Sequence, residues 1–220
     1  KIREMARKIL HDPSEVNISI SKPPEKIKQE AFIVYDTQKI PLVKYLLRKK
    51  DFKSVLIFCS SKISVKQLTR DLKRSGLPAD EIHSDLEQDK REDVLMKFKS
   101  GRVPILIATD ILSRGIDIDN IDLVINYDVP HDGEDYVHRI GRTARAEADG
   151  TAYTFVSVKE QRKFAAIEKL LGKPVPKATI PEEFGETPVF NPTAGARQGG
   201  GGNRGFKKPM HPQRTGGNRR

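Results

Sequence analysis

Short apolar runs alternate with longer amphipathic stretches along most of this chain. The apolar runs have the length of buried strands, and the amphipathic stretches repeat their apolar residues at the spacing of a helix. The predicted strands are Ala31–Tyr35, Val55–Cys59, Ala79–His83, Pro104–Ala108, Leu123–Asn126 and Ala152–Val156. The predicted helices are Lys39–Lys49, Ile63–Ser75, Asp89–Lys99, Gly133–Ile140 and Lys159–Leu171. This order predicts an α/β fold with a doubly wound, mainly parallel sheet flanked by helices on both faces.

Polar residues follow the predicted strands, at the edge where ligands of parallel sheets bind. Ser61 follows the second strand and begins a helix. Two interpretations are open for it: a phosphate contact at the helix N-terminus, or an ordinary N-cap. Arg91 lies in the first turns of the helix after the third strand, where a surface charge is the simpler interpretation.

The fourth strand is followed by a polar loop whose composition favours binding over a simple turn. Thr109 supplies a hydroxyl group, and Asp117 supplies a carboxylate that can accept hydrogen bonds from a sugar. Gly115 permits close approach of the backbone to a ligand.

In the stretch His138–Arg145, Arg142 and Arg145 lie three positions apart. On a helical turn Arg142 and Arg145 point the same way, and their guanidinium forks suit phosphate oxygens. The spacing alone leaves two interpretations open: an anion shared by the two side chains, or a network of surface ion pairs.

Composition narrows the class of partner. The net charge is +10, and seven basic residues but no acidic residue follow Thr187. Such a tail favours a polyanion, here nucleic acid over a membrane. No long apolar run or signal peptide occurs, which predicts no membrane segment and a cytoplasmic location. The single cysteine, Cys59, lies in an apolar run and is interpreted as a core residue, and the scattered histidines predict no protein-held metal.

The two ends of the chain differ from its centre. The chain begins with Lys1 rather than methionine, and residues 1–26 combine an amphipathic stretch with proline-containing segments, which predicts a linker from something longer. The central domain is predicted at residues 27–172. Residues 173–220 are predicted to be a largely disordered basic tail rich in glycine, proline and arginine. A monomer is the default expectation.

Six motifs in order resemble the C-terminal RecA-like domain of DEAD-box RNA helicases, over roughly residues 27–171. They are Val55–Lys62, Gln67–Arg70, Ser84–Glu92, Ala108–Asp117, Val124–Asp128 and His138–Arg145. Residues 2–10 then resemble the end of the partner RecA-like domain. The short Gly/Arg tail resembles that of bacterial RhlE-like helicases. One departure is Ala144, which stands where the family usually has glycine, and it puts in doubt how closely the arginine loop approaches the partner domain.

The resemblance implies a role for each motif residue. Arg142 and Arg145 would be the arginine fingers on the γ-phosphate of ATP, and Asp117 would bind the ribose beside Gly115. His138 would couple the two domains, with Gln67 and Arg70 bracing the RNA-binding loop. The RNA backbone would be held by Ser61, Arg91, Thr109, Arg114 and the amide of Gly115.

Two motifs of such enzymes do not occur in this sequence. There is no G-x-x-x-x-G-K-[ST] phosphate loop and no Asp-Glu-Ala-Asp tetrad. One hypothesis is therefore the C-terminal half of an ATP-dependent RNA helicase whose N-terminal RecA-like domain holds ATP and Mg²⁺, with this chain inactive alone. The alternative is a non-catalytic RNA-binding module that acts without ATP.

Overall fold

The computed structural model describes residue 9 and residues 26–110, 118, 120–143 and 150–193. Within these ranges seven strands form one sheet, and five α-helices pack on its two faces. The elements in chain order are β1 (Lys28–Ile33), α1 (Asp36–Lys49), β2 (Val55–Cys59), α2 (Lys62–Arg74), β3 (Ala79–Ile82), α3 (Gln88–Lys99), β4 (Ile105–Thr109), β5 (Leu123–Asn126), α4 (Gly133–Ile140), β6 (Thr151–Val156), α5 (Gln161–Leu171) and β7 (Lys177–Ala178).

The sheet has the strand order β3-β4-β2-β5-β6-β1-β7, and every pairing is parallel. This confirms the predicted α/β class and the doubly wound arrangement. Because all strands run the same way, their carboxyl ends form one edge, which we call the carboxyl edge. The central strand β2 is buried at every position, as expected for a parallel strand covered on both faces.

Alternate residues of each strand point into two separate parts of the core. On one face, α1 and α2 contribute Leu42, Leu68 and Leu72 to a cluster that includes Ile57. On the other face, α3, α4 and α5 cover two clusters, one around Phe58 and one whose members include Tyr136, Phe164 and Ile167. No helix in the described ranges is long and apolar enough to span a bilayer.

The folded domain extends beyond the predicted boundary at residue 172. The short strand β7 adds to the sheet edge, and the amide of Gln38 donates to the carbonyl oxygens of Phe184 (2.8 Å) and Glu186 (2.9 Å). The side-chain amide of Gln161 donates to the carbonyl oxygen of Val189 and accepts from the backbone amide of Asn191. These contacts join side chains to backbone groups far along the chain and follow no apolar periodicity, so composition does not reveal them. Residues 194–220 lie outside the described part of the chain.

Candidate functional site

Three of the residues predicted to contact RNA lie at the carboxyl edge. Ser61 directly follows β2, Thr109 ends β4, and Arg91 lies on the helix after β3. These strands are neighbours in the order β3-β4-β2, with Cys59 paired to Thr109. The fold therefore brings together side chains that are up to 48 residues apart in sequence. Arg114, Gly115 and Asp117 lie outside the described residues.

Ser61 is the N-cap of α2. Its hydroxyl accepts from the amide of Ser64 at 3.1 Å and lies 2.9 Å from the hydroxyl of the same residue. This is the simpler of the two interpretations open from the sequence. The cap aligns the first turn of α2 at the carboxyl edge, where free backbone amides favour an anion.

The loop that carries Ser61 is tied to the core by Asp128. One oxygen of Asp128 accepts from the amide and the hydroxyl of Ser60, at 2.8 and 2.9 Å. The other oxygen lies 3.1 Å from the ammonium of Lys39, which is 2% exposed and equally close to Glu160. We call Lys39, Asp128 and Glu160 the buried lysine cluster. Sequence reasoning missed it, because the three residues come from separate elements.

Ionisation of this cluster follows from its contacts. Burial alone would raise the pKa of Asp128, but Lys39 and the Ser60 hydrogen bonds outweigh it and hold that pKa below its ordinary value. Burial would likewise lower the pKa of Lys39, but Glu160 and Asp128 keep that pKa above its ordinary value. Asp128 and Lys39 are therefore both charged near neutral pH.

Arg91 is held by one edge of its guanidinium only. Its Nη2 donates to the carbonyl oxygen of Ser84 at 3.1 Å, while its Nε is buried without a hydrogen-bond partner among the described residues. An unpartnered donor beside a fixed one is suited to an oxyanion. The neighbouring Asp85 binds Lys62 and Lys66, both at 2.9 Å, and these hydrogen bonds lower the pKa of Asp85 to about 2.

The segment around Arg142 has a fixed backbone and a partly exposed side chain. The amide of Ile121 donates to the carbonyl oxygen of Arg142 at 3.1 Å, and the hydroxyl of Thr143 donates to the carbonyl oxygen of Ile121. Gly150 packs so closely that an added Cβ would lie 2.3 Å from the carbonyl oxygen of Thr143. Arg145 and Ala144 lie outside the described residues.

Arg139, to which the sequence assigned no role, is the most heavily bonded arginine of this region. It is 3% exposed, and its Nε and Nη2 each lie 2.6 Å from an oxygen of Asp110. Its Nη1 donates to Asn126 and to the carbonyl oxygen of Asp128, both at 3.0 Å, and the guanidinium lies over the ring of Phe58. The sequence contained one sign of this role, because Arg139 is a charged residue on the apolar face of a predicted helix.

The three predicted coupling residues lie on the surface. His138 is exposed on α4, next in sequence to the buried Arg139. Gln67 and Arg70 are exposed on α2 and line a shallow groove of about 380 Å³. Neither side chain makes a hydrogen bond to another described residue, so their predicted bracing role stays a prediction. No cluster of His, Cys, Asp or Glu suited to a metal ion occurs among the described residues.

The described site can offer guanidinium, hydroxyl and amide donors to an anion. It therefore combines an edge that carries anion donors with an arginine whose backbone is held by hydrogen bonds. This chemistry suits the positioning and charge stabilisation of a phosphoryl group, but the described edge has no carboxylate cluster for a metal.

Comparison with known proteins shows the family of this chain. Residues 38–147 match the family model of the helicase conserved C-terminal domain. The ATP-dependent RNA helicase DbpA of Bacillus subtilis (strain 168) is 39% identical over 183 residues, covering 83% of this chain and 38% of that protein. The chain thus spans about a third of the length of the curated relatives it matches.

Solved structures show the same relationship. The C-terminal domain of the DEAD-box protein Dbp5 is 32% identical with a TM-score of 0.65, covering 70% of this chain and 90% of that one. S. cerevisiae Dbp5 bound to RNA and ADP BeF3 is 30% identical with a TM-score of 0.71, covering 80% of this chain and 48% of that one. The chain belongs to the DEAD-box ATP-dependent RNA helicases, of which it carries the C-terminal helicase domain.

Proposed function

We propose that this chain works as the C-terminal half of an ATP-dependent RNA helicase that unwinds short duplexes or remodels RNA–protein complexes. The observation that carries the proposal is the shared carboxyl edge. The candidate phosphate ligands after β2, β3 and β4 lie on one side of β5, and the segment of Arg142 follows β5 itself. The carboxyl edge thus presents the proposed RNA surface. The proposed arginine finger follows α4, where the carbonyl oxygen of Arg142 accepts from the amide of Ile121 just before β5.

RNA is held through its backbone in this proposal. Ser61, Arg91 and Thr109 contact successive phosphates, joined by Arg114 and the amide of Gly115. The partly satisfied guanidinium of Arg91 supports this role, because its Nε has no hydrogen-bond partner among the described residues. Contacts to phosphates position the strand without reading its sequence, as an enzyme acting on many duplexes requires.

The nucleotide is shared between two domains. Arg142 and Arg145 stabilise the charge that develops on the γ-phosphate, while Asp117 and Gly115 hold the ribose. The N-terminal RecA-like domain holds most of the ATP and the Mg²⁺ ion, whose charge offsets that of the phosphates. An arginine finger raises the rate by about 10³–10⁵ only when those parts are present. The hydrogen-bonded backbone of Arg142 supports this role, because an arginine finger acts best when its position is fixed before ATP binds.

Domain closure completes the proposed cycle. His138, exposed beside the arginine segment, contacts the N-terminal domain across the cleft, and Gln67 and Arg70 brace the RNA-binding loop from the outer face of α2. The enzyme acts as a monomer in the cytoplasm. The basic Gly/Arg tail supports a place in the bacterial RhlE-like subgroup.

An unwinding assay tests this proposal. The chain is joined to the N-terminal RecA-like domain of a DEAD-box helicase and mixed with a short labelled RNA duplex. ATP-dependent strand separation is expected, and Arg91→Ala should slow it by about tenfold, since a charge-assisted hydrogen bond is worth about 1.5–3 kcal/mol. Arg162→Ala, an exposed position on α5, is the control. RNA binding without ATP-dependent separation would favour a non-catalytic module.

A further inference from the structure

A cavity near the amino end of β1 has no part in the helicase site. Its volume is about 380 Å³, and it lies between β1, the C-terminal half of α1 and residues 178–181. Its floor is built from Phe32, Leu42 and Tyr153, none more than 4% exposed. The walls come from Tyr45, Leu46 and the chain at Ile180. A cavity of this size, with an apolar floor, accommodates a large side chain.

The rim of the cavity carries an excess of positive charge. The lining includes three lysines, Lys28, Lys49 and Lys50, and one carboxylate, that of Glu30. Lys28 is 3.0 Å from Glu30 and neutralises it. The ammonium groups of Lys49 and Lys50 lie instead over the rings of Tyr45 and Phe52, at 5.4 and 5.9 Å, and neither is paired with a carboxylate within the described chain.

We propose that this cavity, with its apolar floor and its rim of Lys49 and Lys50, docks an acidic peptide segment of a partner protein. One apolar or aromatic side chain of the peptide enters the space above Phe32 and Tyr153. Carboxylates on either side of it bind the two lysines. A buried apolar residue surrounded by complementary charges is the usual anatomy of a protein interface.

The aromatic residues of the cavity favour a peptide over RNA. Single strands bind by stacking bases on exposed ring faces. Here Phe32 and Tyr153 meet edge to face, with centroids 5.4 Å apart and planes at 89°, so the floor offers ring edges. Tyr45 is covered on its sides by Lys49 and by Phe184, whose ring is 5.6 Å away.

The site is independent of the proposed helicase cycle. It lies beside β1 and β7, three strands away from β2, whereas the candidate RNA residues Ser61, Arg91 and Thr109 belong to the carboxyl ends of β2, β3 and β4. RNA bound at the carboxyl edge therefore leaves the cavity open. Peptide binding should therefore be unchanged by RNA, and its failure would leave the helicase proposal intact.

A titration followed by NMR tests the proposal. The probe is the peptide acetyl-Asp-Asp-Phe-Asp-Asp-amide, added up to millimolar concentration to the ¹⁵N-labelled full chain. Saturable shifts are expected at the amides of Glu30, Tyr45 and Thr179. The double variant Lys49→Glu/Lys50→Glu should weaken binding by about tenfold, because it reverses both rim charges. The matched control is Lys73→Glu/Lys169→Glu, which reverses two exposed charges elsewhere and should bind like the parent.

Three results would overturn the proposal. The first is the absence of shifts around the cavity at millimolar peptide. The second is equal binding by a peptide with alanine in place of phenylalanine, which would show that the floor is not used. The third is stronger displacement of the same resonances by a uridine oligonucleotide, which would make the site one for RNA.

Discussion

Arg139 and Asp110 form a two-point ion pair, with Nε to Oδ1 and Nη2 to Oδ2 both at 2.6 Å. Asp110 directly follows β4 and opens the polar loop assigned to RNA and ribose, while Arg139 lies three residues before Arg142. The pair therefore joins the start of one proposed ligand-binding segment to the start of the other. Arg139 also donates to Asn126, which attaches the ion pair to the end of β5.

Replacement of Arg139 tests how much this pair stabilises the fold. Arg139→Ala should lower the free energy of unfolding by roughly 3–5 kcal/mol, since it leaves a carboxylate and an amide without their donor. Arg139→Lys keeps the charge but loses the planar guanidinium, so it should lower the free energy of unfolding by roughly 2 kcal/mol. Urea unfolding measures both, with Arg162→Lys on the exposed face of α5 as the control. Equal stability of Arg139→Lys and the parent would show that the two-point geometry contributes nothing.

The buried lysine cluster predicts a distinct pH dependence. The pKa of Asp128 is lowered by folding, so its contribution is complete above about pH 4 and is lost as the pH falls further. The pKa of Lys39 is raised by folding, so its contribution is complete below about pH 10 and is lost only at higher pH. The cluster therefore contributes most to the free energy of unfolding between about pH 4 and about pH 10.

Lys39→Met should therefore destabilise the protein most near neutral pH. It leaves two buried carboxylates without their cation, at a cost of roughly 3–5 kcal/mol. Protonation of Asp128 relieves part of that cost, so the deficit should shrink between pH 7 and pH 4. Chemical denaturation at both pH values measures it. Lys159→Met removes an exposed partner of Asp36 and should change little, because its side chain is 73% exposed. A deficit for Lys39→Met that grew on acidification would contradict the assigned charges.

Cys59 should be inert in the folded protein. Burial raises the pKa of its thiol well above the ordinary value, and the residue is 0% exposed at the end of β2. The thiolate, which is the reactive form, is therefore absent near pH 8. A colorimetric thiol assay should find no fast reaction in buffer and one thiol per chain in denaturant. Fast labelling of the native chain would place Cys59 outside the core.

The basic tail should set the salt dependence of RNA binding. It carries seven basic residues after Thr193, and each contact with a single strand contributes about 0.7 to the slope of log K against log salt. Truncation after Thr193 should flatten that slope without loss of folding. Truncation at Pro188 is a less clean test, because Phe190 packs on Phe164 and residue 191 binds Gln161. An unchanged slope after removal of residues 194–220 would show that the tail does not contact RNA.

The sheet could be predicted from the sequence because its inner strands β2, β4 and β5 are apolar at nearly every position. Runs such as Val55–Cys59 and Leu123–Asn126 are fully buried, and their predicted bounds match the observed ones. β7 was missed because it has two residues and gains its place from pairing with β1, which no local pattern records. β1 itself starts at Lys28 rather than Ala31, because its first residues pair with β6 while one face stays exposed.

The candidate site was predictable only in part. Motif order placed Ser61, Arg91 and Thr109 after neighbouring strands. The supporting contacts were not visible, because Arg139 and Asp110 are 29 residues apart and Lys39 and Asp128 are 89 apart. Each of these charges is buried only once the chain has folded, and a sequence shows the charge without its burial.

ATP turnover of the joined enzyme tests the central claim most directly. The chain alone should show no RNA-stimulated hydrolysis above an Arg142→Ala control. Joined to an N-terminal RecA-like domain, it should hydrolyse ATP on addition of RNA. Arg142→Ala or Arg145→Ala should then lower the rate by about 10³-fold or more while the unfolding midpoint stays unchanged. Undiminished RNA-stimulated hydrolysis by the folded Arg142→Ala enzyme would contradict the arginine-finger account.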